Sequence, residues 1–338
     1  MKKVEVTKAV GMALCHDITQ IIPGQFKGRF FKKGHIITEE DIPKLLDLGK
    51  RYIYMWDLTD GYLHENEAAI RIANRAAGKN FRLTEPKEGK VEFIAETDGF
   101  LKIDKEKLFE ANRIENIIIA TIHGNRLVKK GQRIAGARII PLAIEEEIIE
   151  SLEKLICKPF IEVLPLKSFK VGLIITGTEV YSGRIEDKFG PVIIRKIEEL
   201  KSRIIKKELV SDSIEKTVNA INNMRKIGAD MILITGGMSV DPDDLTSAAI
   251  KKAGADVKLY GVPVLPGAMF LLGYLDGNVP IMGLPGCVMY YKTSIFDLIV
   301  PRVMAGEYIT KEDTTKLAYG GFCLNCKECI YPNCPFGK

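Results

Sequence analysis

Residues 229–244 read ADMILITGGMSVDPDD, an uncharged run from Met231 to Thr235 that ends in two glycines and a group of acids. A short continuous apolar run bounded by turn signals is the pattern of a strand covered on both faces. Gly236 and Gly237 let the chain turn sharply and present N–H groups without a Cβ in the way. That suits a phosphate or another anionic oxygen, although a glycine doublet after a strand can also be only a tight turn.

The same alternation continues on either side. KVGLIIT reads as a buried strand and PVIIRKIEELKS as a helix with Pro191 in its first turn, while SIEKTVNAINNMRKIG reads as a second helix stopped by Gly228. DLTSAAIKKAG is a third helix, NVPIMG a strand, and MYYKTSIFDLIVPRVMAG a last helix interrupted or ended near Pro301. Strands alternating with helices predict a three-layer α/β/α domain with a mostly parallel sheet over residues 165–310.

Ligands of such sheets sit outside the carboxyl ends of the strands. Three loops therefore carry the candidates. The first holds Thr176, Gly177, Glu179 and Asp187; the second holds Thr235, Gly236, Gly237, Ser239, Asp241, Asp243 and Asp244. The third pairs Pro266 and Gly267 with the segment Gly283, Pro285, Gly286 and Cys287. Carboxylates at these places can bind a hard cation or accept hydrogen bonds from an amino-pyrimidine edge. Asp243 or Asp244 can equally cap the helix beginning DLTSAA.

The chain ahead of this domain is read as a smaller β-rich α+β region. With 338 residues, 46% hydrophobic and 28% charged, the protein is expected to be globular and multidomain. An α+β segment is expected over 1–60, where TEEDIPKLLDLG gives a helix with Thr38 as N-cap and Gly49 as its stop. YIYMW follows as a strand, with Tyr52, Tyr54 and Trp56 read as core packing. A helix between Gly61 and Gly78 precedes short strands turning at Asp98-Gly99, His123-Gly124 and Lys130-Gly131, so a barrel or sandwich is expected over 61–157. AIEEEIIESLEKL then places Ile144, Ile148, Leu152 and Leu155 on one helical face, and the boundary is set within 158–169.

Net charge is only +5 and basic residues are interleaved with acids, as on solvated helix faces, so nucleic acid is not expected as a partner. No apolar run is long enough for a membrane span or a secretory leader, and a cytoplasmic location is expected. Cys15, Cys157 and Cys287 stand alone, which fits a reducing compartment.

Taken in order, TGTEV, the Asp187 loop, SDSIEKTVNAI, ADMILITGGMSVDPDD, VPVLPG and IMGLPG resemble the molybdopterin-binding domain of molybdopterin molybdotransferases, molybdopterin adenylyltransferases and competence-damage-like proteins. The resemblance covers about residues 169–306. GMALCHDIT and the long region before the domain look most like the molybdotransferase branch, which includes gephyrin. The resemblance implies a pterin ligand, with molybdate and magnesium as further ligands, and an activity in molybdenum insertion, transfer or maturation. It also implies a molybdoenzyme apoprotein as client and a homo-oligomer, either dimer or trimer. Residue by residue it assigns the site to Glu179, Asp187, Asp212, Gly236, Gly237, Ser239 and Asp244, with Asp244 and Asp187 as the catalytic candidates.

Several positions depart from that pattern. Ala268 stands where the family has a lysine, Cys287 and Val288 where it has asparagine and proline, and Pro242 where it has an acid. Lys188 and Phe189 follow Asp187 where the family has asparagine, and after Gly306 a cysteine-rich segment replaces the expected β-domain. Losing the lysine and asparagine removes groups able to hold molybdate or phosphate, so binding is better supported than catalysis. The Cys287 thiol either approaches the ligand's sulfur or metal, or packs as a small hydrophobe. The alternatives to a transferase are a nucleotide pyrophosphate hydrolase, as in the competence-damage relatives, and a non-catalytic cofactor carrier.

CLNCKECIYPNCP places Cys323, Cys326, Cys329 and Cys334 close together, with two-residue gaps and then a wider one. The spacing indicates metal. It resembles the bacterial ferredoxin run with its closing Cys-Pro, but the final gap is one residue longer and there is no second run; thiolate zinc is the competitor and a disordered tail the bland alternative. Because the tail adds little apolar periodicity, truncation after Thr315 is expected to leave the α/β domain folded.

Overall fold

The computed structural model describes residues 2–55, 61–239, 241–242 and 244–338. Two compact units result. The first comprises Met1–Glu96, Ile103–Ile122 and Lys130–Glu162; the second comprises Thr97–Lys102, His123–Lys129 and Val163–Lys338.

Within the first unit, Val6, Leu14, Ile18, Phe31, Ile37, Leu45 and Ile53 form a small core. The helix Asp41–Asp47 starts later than expected. Thr38 is not its N-cap: the Asp41 carboxylate reaches back instead, accepting from the Thr38 N–H at 3.1 Å and from His35 Nε2 at 2.7 Å. In the strand Tyr52–Met55 only Ile53 is buried, and Tyr52 and Tyr54 are exposed, which corrects their assignment to the core. Trp56 lies outside the described residues.

The helix Glu65–Ala76 packs its alanine-rich face on Lys90–Ala95 and Arg133–Ile139. Lys90–Ala95 pairs with Arg133–Ile139 and with Phe81–Leu83, whereas Gly99–Ile103 pairs with Arg126–Val128, so the Asp98-Gly99 turn does not close a hairpin. Strands over 61–157 are thus shared between separate sheets and do not close into one barrel. In Glu146–Leu155 and the residue after it, the buried side chains are Ile149, Leu152 and Ile156; Leu155 is exposed.

The second unit holds the six-stranded sheet, whose strands we number β1 (Lys170–Thr176), β2 (Arg203–Val210), β3 (Met231–Thr235), β4 (Asp256–Tyr260), β5 (Leu271–Leu275) and β6 (Val279–Leu284). Their order is β2-β1-β3-β6-β5-β4, with β2, β1, β3 and β6 parallel and β5 antiparallel to both neighbours. Alternation explains the unbroken apolar runs. Val171, Leu173, Ile175, Met231 and Leu233 enter one core, while Ile174, Ile232 and Ile234 enter another. A strand covered on both faces needs apolar residues at every position.

Six helices belong with this sheet: α1 (Thr178–Tyr181), α2 (Phe189–Glu199), α3 (Ile214–Lys226), α4 (Thr246–Lys252), α5 (Cys287–Tyr290) and α6 (Ile295–Met304). The three-layer α/β/α architecture with its mostly parallel sheet is present. The expected single last helix is instead α5 and α6, divided at Tyr291–Ser294 rather than at Pro301. Ser294 and Asp297 make a capping box that starts α6. Pro301 sits inside α6 and has no N–H to give the carbonyl of Asp297; the Tyr331 hydroxyl donates to that carbonyl at 3.3 Å. The tail supplies what the proline withholds.

The tail is docked. Leu317 and Phe336 are buried in the sheet's core, with Cys323, Tyr331 and Cys334 packed against it. The Leu265 N–H donates to Gly321 at 2.8 Å and the Cys323 N–H donates to Leu265 at 2.8 Å. The expectation that the domain is independent of its tail is overturned by this packing.

Candidate functional site

The chain leaves β1 for β2 on one side and returns to β3 on the other, so the sheet's order reverses between β1 and β3. A crevice opens at such a point, beyond the carboxyl ends of the strands. Thr176 ends β1 and Thr235 ends β3. The Thr176 hydroxyl donates to the Thr235 carbonyl at 3.3 Å, and the Thr246 hydroxyl donates to the Gly236 carbonyl at 2.9 Å. Thr246, buried at the start of α4, clamps the glycine loop to the helix. Sequence reading passed it over; its one signal was a threonine opening the helix after the acids.

Gly236 and Gly237 have φ of +89° and +57°. A Cβ on Gly236 would run into the Thr176 carbonyl, and one on Gly237 would lie 2.7 Å from the Thr246 hydroxyl. Glycine is therefore required by close approach as well as by φ. Gly236→Ala is expected to cost about 1–3 kcal/mol from strain, read as a lower urea midpoint. Gly286→Ala is the control, because a Cβ there would meet only the Phe189 ring, at 3.8 Å. Equal midpoints for Gly236→Ala and the parent would show that the turn is not constrained as described.

Hydrogen bonds also join the first loop to the end of β2. Asp212 accepts from the Thr178 N–H at 2.8 Å, Thr178 accepts in return from the Asp212 N–H at 3.3 Å, and the Gly177 N–H donates to Val210. Glu179 is exposed, and its carboxylate lies beside Gly177. Asp187 is engaged through both oxygens: Oδ1 accepts from the Gly190 N–H at 2.9 Å, and Oδ2 pairs with Lys207 at 3.1 Å. These contacts hold the first turn of α2.

Of the two sequence readings for the acids after the glycines, helix capping does not hold for Asp244. Leu245 is the N-cap of α4, with no side-chain cap, so Asp244 does not cap the helix. Its carboxylate accepts instead from the Asp241 N–H at 3.2 Å, within the loop. Ser239 and Asp241 are exposed, and Asp243 lies outside the described residues. Met238 lies against Gly283 of β6, where a Cβ would collide with its sulfur.

Pro266 and Gly267 lie against the start of α6. The Ile295 N–H donates to Pro266 at 3.2 Å, and a Cβ on Gly267 would lie 2.5 Å from Ile295 Cβ, so this loop abuts α6. Pro285 is buried and Cys287 half-buried; burial pushes the Cys287 thiol up, which keeps it protonated at neutral pH and poorly nucleophilic. Among the described residues no three His, Cys, Asp or Glu side chains stand close enough together to hold one metal ion. Cys323, Cys326, Cys329 and Cys334 do line one cavity of about 440 Å³. A wider concavity of about 880 Å³ between Glu65–Ala76 and Glu146–Leu155 is a polar groove in which Arg71 pairs with Glu146 and Glu153.

The β1/β3 junction fits an anionic oxygen group. Thr235 Oγ1 is buried and, among the described residues, has no hydrogen-bond partner, at the point where two positive-φ glycines open the backbone. An unmet buried hydroxyl costs about 1–3 kcal/mol, which a bound acceptor or donor would offset.

Residues 172–305 match a family profile described as a probable molybdopterin binding domain, and residues 3–57 match a domain of unknown function. The molybdopterin molybdenumtransferase of Haemophilus influenzae is 29% identical over 188 residues, covering 52% of this chain and 43% of that protein. The molybdopterin adenylyltransferase of Pyrococcus furiosus is 35% identical over 85 residues, covering 25% of this chain and 50% of the relative. A CinA-like protein of Mycobacterium is 32% identical over 85 residues, 25% of this chain and 20% of its own length. The matched segment thus spans no more than half of each of these relatives. Among solved structures, the tungsten cofactor synthesizing protein MoaB from Pyrococcus furiosus aligns over 41% of this chain and 97% of its own, with 21% identity and a TM-score of 0.33. No helix among the described residues is long and apolar enough to cross a membrane. Residues 172–305 of this chain thus carry the match to the probable molybdopterin binding domain.

Proposed function

We propose that the β1/β3 junction binds the phosphate-bearing end of molybdopterin, and that the protein works where molybdenum is inserted into the pterin or handed on. The observation that carries this reading is the buried, unpartnered Thr235 hydroxyl beside Gly236 and Gly237. Backbone N–H groups of the two glycines would hold anionic oxygens, with Thr235 and Thr246 shaping the floor of the site. Asp212 and Asp187 keep the neighbouring loops in place through Thr178 and Gly190. Molybdate, as substrate, would meet an exposed acidic loop and no lysine at Ala268. That substitution favours a second reading, a carrier that binds the pterin without turning over.

Asp244→Asn tests the binding site. Asparagine can still accept from the Asp241 N–H, so the melting temperature should stay near that of the parent. Molybdopterin affinity by calorimetry should fall about tenfold, equivalent to about 1.4 kcal/mol for one charge-assisted contact. Asp243→Asn, where the family has no acid, should bind as the parent does. Unchanged affinity for Asp244→Asn would leave Asp244 a loop-forming residue only. Molybdate-dependent turnover separates transferase from carrier, and hydrolysis of ADP-ribose would favour the competence-damage-like alternative.

A further inference from the structure

We propose that the cavity at the carboxyl-terminal tail is the seat of a four-iron, four-sulfide cluster held by Cys323, Cys326, Cys329 and Cys334. All four cysteines line the same cavity of about 440 Å³. They rim it rather than converge: no three of them stand close enough to bind one ion. A single tetrahedral zinc, with Zn–S bonds of about 2.3 Å, needs four sulfurs drawn to one point. A cubane is held through four separate irons at its corners, so its ligands need to line one cavity rather than meet at one point. The spacing resembles the ferredoxin run in its two gaps of two residues and the proline after the last cysteine, and departs from it in a third gap of four residues where that run has three.

The walls suit such a guest. Tyr291, Tyr331 and Phe336 line the cavity, and Phe336 is anchored in the core, so part of the wall is apolar and rigid. A low-dielectric wall of that kind shields the sulfurs of Cys323 and Cys334, which pack against the core, from water. The buried Thr293 hydroxyl lies 3.3 Å from Cys329 Sγ and can donate to a ligating sulfur. Arg126 adds a charge. It is only 7% exposed and within electrostatic range of Cys334. One of its Nη atoms donates to Asn333 at 2.5 Å, yet its Nε has no hydrogen-bond partner among the described residues. A buried guanidinium with an unmet N–H within range of Cys334 favours negative charge at that end of the cavity, and a cluster with four thiolates carries net negative charge. The cavity also adjoins the segment after β6: of its lining residues, Tyr290 closes α5 and Tyr291 to Thr293 follow it. The proposal does not depend on pterin binding.

Loading can be written as a ligand exchange. Four Fe–S bonds to small carrier thiolates break and four to the cysteines form, each cysteine proton passes to a departing thiolate, and iron and sulfide keep their oxidation states. The test uses the full chain, anaerobically, with a preformed four-iron cluster carried by 2-mercaptoethanol, and with zinc as a competing metal in a separate arm. After desalting, about four irons and four sulfides per chain are expected, with charge-transfer absorption that bleaches on reduction and an EPR signal of the reduced cluster. Cys326→Ser and Cys329→Ser are chosen because both side chains are exposed, so folding should survive; melting curves verify this. Each should shorten the cluster's lifetime at least tenfold, while Cys157→Ser should match the parent. Retention of zinc at one per chain with no iron, retention of neither metal, or equal loading of folded serine variants and parent would each overturn the proposal.

Discussion

A chain truncated after Thr315 should melt far below the full-length protein, or be recovered only as aggregate. The cut removes Leu317 and Phe336, 7% and 3% exposed, from the core that also contains Phe270, Phe296 and Ile309. It also uncovers the core surface under Tyr331, Cys323 and Cys334. Each large apolar side chain taken out of such a core forfeits about 1.5–3 kcal/mol of burial. Those two, with the two hydrogen bonds to Leu265 and the Tyr331 hydroxyl bond to Asp297, amount to about 5–10 kcal/mol. That is comparable with the whole stability of an ordinary domain, about 5–15 kcal/mol. Phe336→Ala in the full chain isolates part of the effect, at about 3–5 kcal/mol. Calorimetric melting within a few degrees of the parent would show the tail to be a passenger.

Lys196→Met should be nearly as damaging, and its damage should depend on pH. Lys196 Nζ, on α2, lies 2.6 Å from Asp297 Oδ1 and 3.0 Å from the Lys292 carbonyl, and its side chain is 9% exposed. Burial pushes the Asp297 carboxyl up, while Lys196 and the Ser294 N–H pull it down. Removing one partner of such a pair leaves an uncompensated charge and costs about 3–5 kcal/mol. With the lysine gone, the carboxyl is raised further above its unfolded value of about 3.9. A carboxyl raised on folding contributes its stability below that unfolded value, and loses it as pH climbs through the folded one. The deficit of Lys196→Met should therefore shrink as pH falls from 7 towards 4. Asp297→Asn in the same background should recover part of the loss at neutral pH, since asparagine can still accept from the Ser294 N–H. A deficit independent of pH would mean that packing of the lysine stem, not its charge, holds α2 to α6.

Legibility differed between the two halves for a physical reason. Strands of the six-stranded sheet are covered on both faces, so their apolar runs announce themselves within five to seven residues. The strands Lys90–Ala95 and Gly99–Ile103 alternate just as hairpin arms would, yet each takes a different partner. Alternation reports that a segment is half-buried, and says nothing about which neighbour buries it. The same limit explains Glu146–Leu155, where an Ile148 face and an Ile149 face both have helical spacing, and packing selects Ile149, Leu152 and Ile156.

At the candidate site the sequence alone determined the strand ends, the two glycines and the spacing of the tail cysteines, because each is a property of a few adjacent residues. Tertiary structure decided what the acids do. Asp244 turned inward to its own loop, Asp187 to Gly190 and Lys207, and Asp212 to Thr178, a residue 34 positions away. It also decided that the tail packs on Leu265 and α6 and that Thr246 clamps Gly236. Backbone conformation and hydrophobic periodicity are local and survive in the order of residues; the partner of a carboxylate or a buried ring is whichever group the fold brings within a few ångströms, and order along the chain does not encode that distance.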